Sequence, residues 1–154
     1  MGAHLSEEIR ELLASQDTTA VLATVDAQGS PHVVAGVPLR ATGEGALLYL
    51  EYFESSLTNK NLTRSIWFDG KVAIALSNSQ GQSFQITGKP IKNHITGPLF
   101  LEYYGQTNEK ESLNLAAVWE IEPLAIRNEG VRFRKEQEER THPFYTHLDR
   151  LTAA

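Results

Sequence analysis

Hydrogen-bond donors are concentrated in one short stretch, where a strand predicted over residues 46–53 leads into a short helix. The stretch carries hydroxyl groups, side-chain amides and one lysine, at Ser55, Ser56, Thr58, Asn59, Lys60 and Asn61. The first turn of a helix also presents free backbone N–H groups and the positive end of the helix dipole. Together these groups can bind a phosphate. The alternative is a simple helix N-cap, since Ser and Thr are favoured at that position.

Size and composition limit the class of protein. The chain has 154 residues, which is the size of one domain with one core. A net charge of −5 argues against non-specific binding of nucleic acid. The absence of cysteine excludes disulfides and thiol catalysis. No stretch is apolar for long enough to span a membrane, and the first residues do not resemble a secretory signal, so the expected location is cytoplasmic with no membrane partner.

Apolar alternation between glycine-containing turns predicts a mostly β fold. Six strands are predicted, over residues 18–26, 31–40, 46–53, 71–77, 83–92 and 113–127, with the last one broken near Pro123. Gly36 inside the second strand indicates a bulge or a close approach of a ligand to the backbone, and Pro38 places part of that strand at an edge. Helices are predicted over residues 6–15, 96–104 and 134–140, besides the short one after Ser56. Short strands with few helices favour a small barrel.

The C-terminal segment differs from the rest in its charge. We expect residues 1–128 to form the barrel domain and residues 129–154 to form a charged tail that packs on the barrel or on a partner subunit. The tail has a few apolar side chains to bury, namely Phe133, Phe144, Tyr145, Leu148 and Leu151. Truncation after Asn128 is therefore expected to leave a folded barrel.

Five segments in order carry a resemblance to a known family: LATVDAQGSPHVV, LLYLEYFESSLTNKNL, VAIAL, SFQITGKP and AVWEIEP. Preceded by an N-terminal helix, they resemble the pyridoxamine 5′-phosphate oxidase-like superfamily of FMN-binding split β-barrel proteins, over about residues 6–123. The resemblance implies a six-stranded antiparallel Greek-key split barrel with flanking helices. It also implies a homodimer with FMN at the interface, and flavin-dependent oxidation or reduction of an unidentified small molecule.

The same resemblance implies which residues contact the cofactor. The phosphate would be bound by Ser56 and Thr58 with Lys60, in the donor cluster described above. The ring would be met by the second strand, by the end of the third, by the start of the fifth and by the sixth. The full set is Val34, Ala35, Gly36, Val37, Glu51, Tyr52, Ser55, Ser56, Thr58, Lys60, Asn61, Gln82, Ser83, Gln85 and Trp119. A phosphate contact from Thr58 predicts that FMN binds more tightly than riboflavin.

Two departures from the oxidase remove positive charge. The sequence is apolar near Val34 to Leu39, where the oxidase carries an arginine and a lysine. Ser56-Leu57-Thr58 stands where the oxidase has a Ser-Arg-Lys run. Both changes argue against oxidation of vitamin B6 as the specific reaction, and leave FMN as the expected cofactor.

A non-catalytic module that binds or stores flavin, deazaflavin or heme is the alternative. The five histidines form no i, i+4 pair, so no metal site is predicted. An exposed histidine in the tail, His142 or His147, could serve as an axial heme ligand. The residue types name no general acid or base.

Both faces of the predicted strand over residues 18–26 are largely apolar. A single barrel of this size does not supply cover for both faces, and two-fold dimers are the commonest oligomers. The pattern therefore predicts a homodimer, independently of the resemblance.

Overall fold

Seven strands and four helices follow one another in the computed structural model, which describes residues 2–107 and 114–143. The helices are α1 (Glu7–Ala14), α2 (Leu57–Trp67), α3 (Pro98–Thr107) and α4 (Val131–Thr141). The strands are β1 (Thr19–Val25), β2 (Pro31–Ala35), β3 (Leu39–Ala41), β4 (Leu47–Glu51), β5 (Val72–Ser77), β6 (Ser83–His94) and β7 (Ala117–Asn128). In this part of the chain, no helix combines the length and the hydrophobicity needed to cross a bilayer.

The strands form one antiparallel sheet in the order β2-β1-β5-β6-β7-β4-β3. Its two end strands, β2 and β3, are consecutive in the chain and are separated by only three residues. Within that link, Val37 N–H bonds to the Ala20 carbonyl on one side, and the Pro38 carbonyl accepts from Leu50 N–H on the other, both at 3.1 Å. The sheet therefore curls until its ends meet, which confirms the predicted mostly β split barrel.

The predicted count of six strands is wrong, because the strand expected over residues 31–40 is divided in two. Gly36 has a φ of +69°, a left-handed conformation that glycine adopts without strain. Pro38 cannot donate to a ladder on either side. The chain bends at these residues. Before the bend it pairs with β1, and after the bend it pairs with β4.

The break predicted in the last strand is also wrong. β7 runs without interruption from Ala117 to Asn128, and the predicted start, Leu113, lies outside the described residues. Pro123 is opposite Gly88, where the register between β6 and β7 shifts. A bulge at this point allows the strand to carry a proline without ending.

The interior of the barrel is one apolar cluster built from alternate strand residues and two helices. In β1, Ala20 and Leu22 are buried while Val21 and Ala23 are only half-buried. Other members are Ile9, Leu47, Tyr49, Leu62, Ile74, Leu76, Ile86, Trp119 and Ile121. A second, smaller cluster lies on the opposite face of β4 and β7, and α3 covers it. It contains Leu48, Leu50, Leu115 and Val118, with Tyr52, Leu99, Phe100, Tyr103 and Tyr104 packed against them.

Helix α2 is attached to the barrel by a polar contact as well as by packing. Asn61 Nδ2 donates to Thr24 Oγ1 of β1 at 2.9 Å, and both residues are buried. Leu62, the next residue, is completely buried in the main cluster. A buried amide that finds its partner fixes the helix in one orientation, because any other would leave it unpaired.

The helix predicted in the tail is confirmed as α4, and none of its described side chains is buried. Its start is held closely, since a Cβ on Gly130 would lie 3.1 Å from Asn128 Oδ1 and 3.4 Å from the Gly81 carbonyl. The other apolar residues expected to anchor the tail, Phe144, Tyr145, Leu148 and Leu151, lie outside the described residues.

Gly88→Ala should destabilise the fold, because an added Cβ would lie 2.5 Å from Ile121 Cγ2, a buried side chain. We expect the free energy of unfolding to fall by about 1–3 kcal/mol, as for other overpacked cores. Urea denaturation measures this directly. Gly43→Ala is the matched control, since nothing lies within 4 Å of a Cβ at Gly43. Equal stability of the two variants would contradict the packing of β6 against β7.

Candidate functional site

Ser56, one of the two residues expected to bind phosphate, is the N-cap of α2. Its Oγ accepts from Asn59 N–H at 3.0 Å. Its hydroxyl proton is donated to a carboxylate oxygen of Glu51, the last residue of β4. The hydroxyl hydrogen of Ser56 is therefore already donated to a partner within the chain.

Glu51 is a buried carboxylate, with 3% of its surface exposed. Besides the Ser56 hydroxyl, it accepts the backbone N–H of Phe53 at 3.3 Å. The phenol of Tyr49, also in β4, hydrogen-bonds to it as well, and the pKa of Tyr49 is raised. The largest cause of that shift is burial of the phenol, followed by the negative charge of Glu51 and the hydrogen bond to it. Tyr49 and Ser56 together satisfy a charge that would be costly to bury alone.

Other donors of the cluster remain at the head of α2. In a helix the first N–H groups have no partner within the helix. Those of Ser56 and Asn59 are bonded locally, which leaves Leu57 and Thr58 N–H without a partner among the described residues. The side chains of Ser55 and Lys60 are exposed, while Thr58 is buried.

Residues 34–37 lie at the end of the sheet, where β2 leaves β1. Val34 packs against the main cluster, and Val37 is buried. Ala35 and Gly36 are exposed. The backbone at Ala35 and Gly36 is therefore exposed at this end of the sheet. These two residues are among those that the resemblance expects to meet the edge of the flavin ring.

Gln82, Ser83 and Gln85 lie at the start of β6. The Gln82 amide is held from both sides, because its Oε1 accepts from Asn78 Nδ2 at 2.7 Å and its Nε2 donates to Glu8 at 3.0 Å. Gln85 is exposed. Of the three, Gln85 therefore has the most accessible side chain.

The predicted contacts at the head of α2 and those at the start of β6 lie near opposite ends of β6. Glu51 pairs with Ala117 of β7, and the adjoining Val118 pairs with His94, the last residue of β6. Ser83 is the first residue of that 12-residue strand. Eleven steps of extended chain correspond to roughly 35 Å. Measured along β6, the head of α2 and Ser83 are at opposite ends, while the closure at Val37 and Pro38 joins β1 to β4 by a shorter path.

Trp119 and Tyr52 are packed within the chain. Trp119 is 1% exposed, and its indole N–H donates to Asn59 Oδ1 of α2 at 2.9 Å. Asn59 Nδ2 in turn donates to the Glu54 carbonyl at 2.9 Å. Tyr52 is half-buried beneath α3. Within one chain, these residues pack against the inner side of the turn before α2 and fix its position.

One face of the sheet, which we call the open face, is apolar, and within residues 2–107 and 114–143 nothing covers it as the interior is covered. Its central part is formed by eight outward residues of β1, β2, β5 and β6, six of which are alanine or valine. They are Val21, Ala23, Val33, Ala35, Ala73, Ala75, Gln85 and Thr87. Their inward neighbours Leu22, Ile74 and Ile86 are completely buried, whereas Val33 is 61% exposed. Ala35 and Gln85, both predicted contacts, lie on this face.

One further pair of polar side chains could not be found from the sequence. His94 Nε2 lies 2.8 Å from Glu120 Oε1, across β6 and β7, and the two side chains are 14% and 27% exposed. The residues are 26 positions apart, so only the register between the strands brings them together. Such a pair holds an imidazole in a fixed orientation, with Nδ1 left to face another group.

Solved structures share this arrangement of strands. HupZ from Group A Streptococcus matches with a TM-score of 0.68 and 20% identity, over 82% of this chain and 95% of its own. An FMN-binding protein from Syntrophomonas wolfei matches at 0.63 and 14%, over 79% and 84%. An F420 reductase matches at 0.60 and 17%, over 80% and 98%. The chain therefore shares its split-barrel fold with these proteins.

Solved structures with this fold are named for different ligands. A pyridoxamine 5′-phosphate oxidase-related, FMN binding protein from Nostoc punctiforme matches with a TM-score of 0.53 and 10% identity, over 74% of each chain. HutZ, a heme storage protein from Vibrio cholerae, matches at 0.52 and 17%, over 82% and 95%. No protein-family model and no functionally curated protein matches the sequence. At these identities the likeness establishes the fold alone.

Tyr49→Phe should flatten the loss of stability at alkaline pH. The pKa of Tyr49 is raised above its unfolded value near 10. Its contribution is therefore complete below about pH 10 and is lost as pH rises from there towards the folded-state pKa, because only the unfolded chain releases the proton. In that window the wild type should lose about 1.4 kcal/mol per pH unit more than the variant.

Urea denaturation at pH 9 and pH 11 measures the difference. Tyr52→Phe, at a tyrosine packed beneath α3 rather than against the carboxylate, is the control and should follow the wild type. If Tyr49→Phe also follows the wild type, the phenol is not bonded to Glu51 as described.

Proposed function

We propose that this protein binds FMN at the interface of a homodimer and acts as a flavin-dependent oxidoreductase on a small molecule. The fold is one that FMN-binding proteins use. The cofactor would supply the hydride-transfer chemistry, while the protein provides binding, orientation and access. This proposal does not require a protein nucleophile.

The observation that carries the proposal is the distribution of the predicted contacts around the open face. Ala35 and Gln85, two of the predicted ring contacts, lie on this apolar face, which the described residues leave without cover comparable to that of the interior. A two-fold axis pairs identical surfaces, so residues from opposite ends of one barrel can meet across it. Apolar small side chains allow two sheet faces to approach closely, and the open face has that composition.

The residues at each part of the site fit the groups of FMN. At the head of α2, the N–H groups of Leu57 and Thr58, the Ser55 hydroxyl and Lys60 would bind the phosphate, whereas the buried Thr58 side chain would pack behind them. The accessible backbone at Ala35 and Gly36 would meet the polar edge of the ring. Gln85 of the partner subunit would reach the ring from the other side. A deazaflavin could use the same contacts to the ring.

Heme binding is the second candidate, and the His94–Glu120 pair is the observation that favours it. A histidine that ligates a metal commonly bonds its second ring nitrogen to a carboxylate, which sets the orientation of the imidazole. His94 has that arrangement, with Nδ1 left for an iron atom. A heme storage protein also shares the fold.

The absorption spectrum of the purified protein separates these functions. We expect the spectrum of bound flavin, and FMN as the mass released on denaturation. A Soret band that disappears in His94→Ala would instead establish the heme alternative. Glu120→Gln should then shift that band without abolishing it, because the carboxylate only orients the ligand.

Ala75→Arg should disrupt the dimer and flavin binding together. Ala75 is exposed near the middle of the open face, where an arginine would place a charge against the apolar surface of the partner. We expect sedimentation at micromolar concentration to give a dimer for the wild type and a monomer for the variant, with flavin affinity reduced at least tenfold.

Ala14→Arg is the matched control, since Ala14 is exposed at the end of α1 and away from the open face. This variant should remain a dimer and bind flavin as the wild type does. A wild-type protein that is monomeric with bound flavin would contradict the interfacial site while leaving flavin binding itself intact.

A further inference from the structure

The buried carboxylate of Glu51 lies beneath the position proposed for the flavin phosphate. Its effect on phosphate binding rests on the proposed function. We infer that Glu51 is a specificity-determining residue that opposes the 5′-phosphate, so that the protein binds riboflavin about as well as FMN and takes flavin as an exchangeable ligand. Glu51 is thereby assigned a role different from the direct contact that the resemblance implies.

The carboxylate lies immediately behind the donors that a phosphate would use. Glu51 accepts the hydroxyl of Ser56, and the oxygen of Ser56 accepts from Asn59 N–H at 3.0 Å. The free N–H groups of Leu57 and Thr58 belong to the same first turn of α2. One helical turn is about 5.4 Å long, so a phosphate on these groups would sit within that order of distance from a buried negative charge.

Glu51 has no countercharge close by. Among the described residues, no lysine, arginine or histidine nitrogen lies within 4 Å of its carboxylate. Lys60 and Glu54 are both exposed to solvent, where water and salt screen their charges. Coulomb repulsion at about 5 Å is weakly screened where the carboxylate is removed from water. The donors of the helix head and the carboxylate therefore act on a phosphate in opposite directions.

The hydrogen bonds around Glu51 fit the charged form. Tyr49, Ser56 and the Phe53 N–H all donate to it, and an ionised carboxylate is an acceptor only. Glutamine at this position can be accommodated, since the two hydroxyl groups can rotate to accept from its amide. Glu51→Gln therefore removes the charge and retains a bonded side chain.

The ligand class follows from this balance. A phosphate normally adds affinity through charge-assisted hydrogen bonds. Here that gain is offset, so the ring and the ribityl chain, which FMN and riboflavin share, must supply most of the affinity. A flavin bound in this way would exchange with flavin in solution.

Flavin fluorescence titrations with FMN and with riboflavin test the inference on the full-length protein. For the wild type, the two dissociation constants should agree within about threefold. For Glu51→Gln, FMN should bind at least tenfold more tightly than in the wild type, while riboflavin changes by less than twofold. Glu54→Gln is the matched control, because it removes an exposed carboxylate from the same turn. It should change neither constant by more than about twofold.

The possible outcomes are distinct. A wild-type protein that prefers FMN by tenfold or more overturns the inference and leaves the proposed function standing. Equal effects of Glu51→Gln and Glu54→Gln, or no effect of either, also overturn it. If neither flavin binds to the wild type, the proposed function itself fails. Urea denaturation of Glu51→Gln establishes that the variant is folded, and should it not fold, the wild-type ratio decides alone.

Discussion

The stretch from Pro31 to Ala41 is bonded to both ends of the sheet, and the rest of the structure depends on that closure. Hydrogen bonds from Val37 to Ala20 and from Leu50 to Pro38 tie it to β1 and to β4. Once the ends are joined, each strand has an inside and an outside, and the alternating large residues fill the inside. The bend at Gly36 is what allows one short segment to pair with two strands that are far apart in the sheet.

Closure also decides where a ligand can bind. The interior is filled with side chains and is completed by Leu62 of α2, so it leaves no room for a flavin. Helix α3 covers the outside of β4 and β7. Outside the interior, the predicted cofactor contacts lie on the open face and in the turn between β4 and α2. That turn is held from behind by the buried bond from Asn61 to Thr24 and by the partly buried bond from Trp119 to Asn59. The head of α2 is thus presented in one fixed position.

The sequence was sufficient for what depends on neighbouring residues. Alternation and glycine turns located the strands, Gly36 marked the bend, and the serine and threonine cluster marked the start of α2. It was insufficient where partners are distant. Nothing in the spacing of Tyr49, Glu51 and Ser56 says that the carboxylate is buried and takes the serine proton, because that depends on how the turn folds back. His94 meets Glu120 only through strand register, and the exposure of the open face only becomes visible once the helices are in place.

The polar and apolar parts of the candidate site therefore have different roles under the proposed function. A phosphate-binding turn that contains a buried carboxylate without a countercharge is a weak anchor, because the field of the carboxylate opposes that of the helix dipole. The open face has no such conflict, since covering alanine and valine side chains removes apolar surface from water without leaving a polar group unpaired. If two copies meet there, burial of the ring between them contributes more to flavin affinity than the phosphate does. Ligand binding and dimerisation would then be coupled, because any molecule that binds only the dimer stabilises it by mass action.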